Sequence, residues 1–71
     1  MTEIESRALT VLDEHIASIQ RIVDTHIARI ARRNGVGVAD DRYAVELYKR
    51  DIRTLKIARG CIVEALGITR A

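Results

Sequence analysis

The sequence predicts an all-α fold: an antiparallel two-helix hairpin that dimerises into a four-helix bundle. Three observations carry this. There is no Pro, Trp or Phe and Gly occurs only four times, so a fold built from many tight turns is excluded. Apolar residues recur at alternating three- and four-residue steps in two long segments. The only strong punctuation between those segments is Asn34-Gly35-Val36-Gly37. The expected organisation is a single domain over residues 1–71, with helix 1 over about 3–33, a loop over 34–40 and helix 2 over about 41–66.

Helix 1 begins at Thr2, which stands at capping-box spacing from Glu5. Its seam reads Leu9, Leu12, Ile16, Ile19, Val23, His26 and Ile30. Arg29, Arg32 and Arg33 place positive charge in the last turn, where it complements the helix dipole. Gly35 is expected to close the helix in the left-handed conformation, and Asp40 or Asp41 to cap the next one. The seam of helix 2 reads Val45, Tyr48, Ile52, Leu55, Arg59, Ile62 and Leu66. Gly67 should end it, with Ile68 folding back on Val63.

Folded at the loop, the seams pair in layers: Ile30 with Val45, His26 with Tyr48, Val23 with Ile52, Ile19 with Leu55, Ile16 with Arg59, Leu12 with Ile62, Leu9 with Leu66. His26 is expected to hydrogen-bond Tyr48. Each helix carries more apolar surface than this seam uses. Helix 1 adds Ile4, Val11, Ile22 and Ile27, and helix 2 adds Ala44, Leu47, Ala58, Cys61 and Ala65. Chains below about 70–80 residues rarely stabilise themselves without a staple. One cysteine makes no internal disulfide, and two histidines make no structural zinc site. A second copy of the chain is therefore the expected remedy. Asp51 and Arg59 fall inside the apolar arc of helix 2, and pairing between them across the dimer is one expectation.

No catalytic set is legible. His15 and His26 share a face but lie about 16 Å apart along a helix, and no Glu-x-x-His motif accompanies them. Cys61 sits late in its helix, away from the positive N-terminus that would activate a thiol. The expectation is a non-enzyme with no metal and no cofactor. Gly60 beside Cys61 suggests close approach of a neighbouring helix or a kink.

Two surfaces of helix 2 point to binding. Tyr43, Arg50, Ile57 and Ile68 cluster away from the seam and together suit a partner protein. Arg42, Lys49, Arg53 and Lys56 form a cationic stripe that suits phosphate, giving nucleic acid as the alternative partner. Residues 1–33 carry five acids and five bases, residues 40–71 five acids and seven bases, so the surplus lies on the second half. No apolar run reaches the roughly 20 residues of a membrane span. Glu3, Glu5, Asp13 and Glu14 are also unlike the start of a signal peptide, which makes the cytoplasm the expected location.

The architecture resembles that of plasmid RNA-binding helical-hairpin regulators, which dimerise into four-helix bundles; the likeness lies in the fold pattern and in no residue motif. Small arginine-rich hairpins of phage and mobile elements that bind and inhibit a host factor offer a second analogy. The reading overall is a small regulatory or adaptor protein that homodimerises and binds a host or regulatory protein.

Overall fold

The computed structural model describes residues 2–67, and these form two helices, α1 (Glu3–Arg32) and α2 (Ala39–Leu66). The helices pack against each other as an antiparallel hairpin, so the expected fold class holds at that level. The molecule is a rod of 49 × 17 × 17 Å. Its radius of gyration is 16.0 Å, against about 11 Å for a compact globule of this length.

Local chemistry explains the helix ends. Thr2 is extended, and its hydroxyl accepts the Glu5 backbone N–H at 3.1 Å, satisfying one free donor of the first turn. At the other end of α1, Gly35 N–H donates to the Ile30 carbonyl at 3.1 Å and Asn34 N–H to that of Ala31 at 3.2 Å. This is a Schellman closure, and Asn34, at φ 52°, takes the left-handed position expected of Gly35. Asparagine tolerates that region because its short polar side chain bonds locally. Gly35 is left-handed as well, and a Cβ there would lie 3.1 Å from the Arg42 guanidinium. Gly67 ends α2 in the left-handed conformation, as expected. The predicted return of Ile68 onto Val63 lies outside the described residues.

α2 begins two residues earlier than expected, and neither Asp40 nor Asp41 caps it. Its N-cap is Val38, which has no side-chain acceptor. Val38 is instead buried beneath the turn. Packing at the loop thus replaces the capping hydrogen bond that the two aspartates had suggested.

The core is the loop-proximal half of the seam. Ile19, Val23, Val45 and Ile52 are buried, and Ile16, Ile30, Tyr48 and Leu55 pack around them. Val23 is only 1% exposed. Towards the open end the expected layers give way. Leu9 and Val63 are the buried pair there, while Leu12 is half-buried and Ile62 and Leu66 are exposed. A straight α-helix drifts about 20° per heptad relative to a 3.5-residue seam. By the third heptad of α2 this drift has carried Val63 into the contact and rotated Ile62 and Leu66 out of it.

Candidate interaction surfaces

A partly buried polar cluster sits at the loop end. Asp41, in the first turn of α2, is 6% exposed. It receives His26 Nδ1 at 2.8 Å and Arg29 Nη1 at 3.0 Å on the same oxygen, Oδ1. An ionised carboxylate only accepts, so Nδ1 carries the proton in this contact. The His26 hydrogen bond, aided by the Arg29 charge, holds the Asp41 carboxyl below the usual carboxylate range. His26 does not hydrogen-bond Tyr48 as expected; the two rings stack, with centroids 6.3 Å apart and planes at 18°. Stacking leaves the imidazole edge free to bind Asp41. Arg29 likewise does more than complement the dipole, because it ties α1 to α2.

A second cross-link spans the open half. Arg59 donates through Nε to Asp13 Oδ1 at 2.5 Å and through Nη2 to Oδ2 at 3.2 Å. This bidentate pair raises the Arg59 pKa further and occupies the guanidinium within its own chain. In the single chain Arg59 is thus engaged by Asp13, where the sequence had suggested Asp51 of another copy. Asp51 is exposed beside His15 instead.

One side of the hairpin bears a groove between the helices. Its larger part, about 570 Å³, is lined by Ile4, Arg7, Ala8, Val11, Leu12, His15 and Ile62. The adjoining part, about 200 Å³, is lined by His15, Ile19, Asp51, Thr54 and Leu55. His15 lines both parts. Ile22 extends the α1 edge at helical spacing from Val11 and His15, and Leu47 extends the α2 edge from Asp51 and Thr54. Ile4 is 82% exposed, and Val11, Ile22, Leu47 and Ile62 are exposed as well. Of the residues assigned to a shared core, Leu12, Ile16, Ile19, Val23, His26, Tyr48, Ile52 and Leu55 are buried or half-buried in the single chain. Ile22 and Ile62 are not. The groove face collects them.

The outer side of α2 carries the two predicted stripes. Tyr43 and Ile57 are 71% and 63% exposed, with Arg50 exposed midway between them. Ile68, the fourth residue assigned to this patch, lies outside the described residues. Arg42, Lys49, Arg53 and Lys56 are all exposed. Gly60 and Cys61 are exposed too, and a Cβ at Gly60 would meet nothing within 4 Å. Among the described residues, therefore, no helix makes the close approach that Gly60 had suggested.

Among the described residues, no group of three His, Cys, Asp or Glu side chains could hold a metal ion. No described helix is long and apolar enough to cross a membrane. The chain shows no significant match to protein-family models, to curated proteins or to solved structures.

Sequence reasoning missed both polar cross-links. A signal for Asp41 was present: it stands four residues before Val45 and so occupies the next seam position of α2. A carboxylate in a seam requires cationic or donor partners, and His26 and Arg29, one turn apart, are the seam's nearest candidates on α1. The Asp13–Arg59 pair carried a similar signal, since Arg59 occupies a seam position opposite Ile16 and Asp13 stands one turn from Ile16 on α1.

Proposed function

We propose that the protein is a non-catalytic regulatory or adaptor module. It homodimerises through the groove face into a four-helix bundle and binds another protein through the outer stripe of α2. The observation that carries this reading is surface left over after folding. The hairpin exposes 5518 Å², whereas a compact monomer of 8.0 kDa exposes about 4,450 Å². The difference, about 1,000 Å², is comparable with the roughly 800 Å² that each partner buries in a standard interface. The groove face is where the excess is most apolar. A second copy is the economical cover, since one isologous contact about a twofold axis relieves both chains at once.

With the groove so covered, Tyr43, Arg50 and Ile57 still face outward on α2. Large aromatic and aliphatic side chains beside an arginine suit an anchor contact on another protein. Sedimentation equilibrium at micromolar concentration tests the dimer. The wild type should sediment as a dimer, and Val11→Asp, which puts a charge in the groove, as a monomer. A folded, stable wild-type monomer would overturn the dimer. For the outer stripe, Ile57→Glu should leave the dimer and its melt unchanged while abolishing co-purification of a partner. Retention of the partner by Ile57→Glu would remove the stripe from the proposal.

A further inference from the structure

We infer that the segment docking on the outer face of α2 is an acidic amphipathic helix, an inference that rests on the outer-stripe reading above. Tyr43, Arg50 and Ile57 are spaced seven residues apart and so lie on one line of α2. At about 1.5 Å per residue the line is roughly 21 Å long. A straight line of anchors on a helix suits another helix laid along it, with its own apolar residues at three- and four-residue steps.

The charge around that line is one-sided. Arg42, Lys49, Arg53 and Lys56 flank it, and Arg50 lies within it. The ion pairs among the described residues are His26–Asp41, Arg29–Asp41 and Arg59–Asp13, and none of them involves these five cations. Asp41 is buried in its own cluster and Asp51 lines the groove, while Glu46 and Glu64 stand exposed near the line, so the five cations remain in excess. Glu46 and Glu64 bracket a cationic tract between them. Carboxylates on the rim of a partner helix would meet this tract, which would steer its approach and set its orientation, while Tyr43 and Ile57 bury against its apolar face.

A nucleic-acid backbone fits the same surface less well. Phosphate contacts leave the two apolar anchors, Tyr43 and Ile57, without a role.

The test is selection from a displayed library of random peptides, each long enough for several helical turns, on the immobilised full-length protein. A random-sequence DNA duplex is assayed in parallel. Enriched peptides should combine several Asp or Glu with large apolar residues at helical spacing. Their affinity should fall at least about tenfold both for Ile57→Glu and for Lys49→Glu combined with Arg53→Glu. Enriched peptides without an acidic excess, yet lost on Ile57→Glu, would overturn the acidic partner and leave the docking stripe standing. No enrichment, or affinity indifferent to all three substitutions, would overturn the inference. So would duplex binding that the double charge reversal abolishes and Ile57→Glu leaves intact.

Discussion

The two ends of the hairpin solve the same problem differently. At the loop end the chain returns on itself within a few residues, and the apolar contacts there are closed by a buried carboxylate holding His26 and Arg29. At the open end, among the described residues, Leu9 and Val63 are the buried ones, and Ile4, Val11, Ile62 and Leu66 remain in water. Both ends have comparable apolar residues in their sequences. They differ in register: near the turn the seams face each other, and three heptads away helical drift has rotated them apart. A hairpin of this length can finish its own core only where the turn fixes the phase.

The largest expected contrast comes from placing a charge at each end. Ile52→Asp or Ile19→Asp buries an unpaired carboxylate in the closed half, at a cost of several kcal/mol against a total stability of roughly 5–10 kcal/mol. Helical circular dichroism should be lost. Val11→Asp in the open half should keep its helical signal and lose only self-association. Equal unfolding by all three would mean that the open half belongs to the same cooperative core.

Asp41→Asn should have the next largest effect and should act through pH. The folded-state pKa of Asp41 is lowered, so its stabilisation is present above the ordinary aspartate value of about 4 and is lost as pH falls through and below it. The wild-type melting temperature should drop over that acid range. Asp41→Asn should melt lower at neutral pH and show a shallower acid dependence. Thermal melts of both proteins from neutral to acid pH make the comparison, and parallel curves would exclude Asp41 as the source.

Gly60→Ala should stabilise by about 1 kcal/mol, because alanine is the better helix former and the position faces open space. A lower melting temperature would instead reveal a close helix contact made only in an assembly. The smallest effect is expected from Asp13→Ala. The pair with Arg59 is well formed but about half exposed on each side, and water screens it. A loss as large as that of Asp41→Asn would mean that the open end is held mainly by this ion pair.

Period, punctuation and composition were enough to determine the two helices, the turn between them and the layers nearest that turn. Ile19, Val23, Val45 and Ile52 could be paired from spacing because a short loop leaves little freedom of phase. The glycine at the end of α2 was legible for the same kind of reason, since its conformation is a local matter. Tertiary structure alone decided that Asn34 closes α1, that Val38 rather than an aspartate starts α2, and that Asp41 turns inward to His26 and Arg29. It also decided that Val63 displaces Ile62 from the core and that Asp13 claims Arg59. The inward turn of Asp41, the place of Val63 and the Asp13–Arg59 pair depend on the relative rotation of two helices. That rotation accumulates a few degrees per residue, so a one-dimensional pattern records which residues share a face but not how far that face has turned.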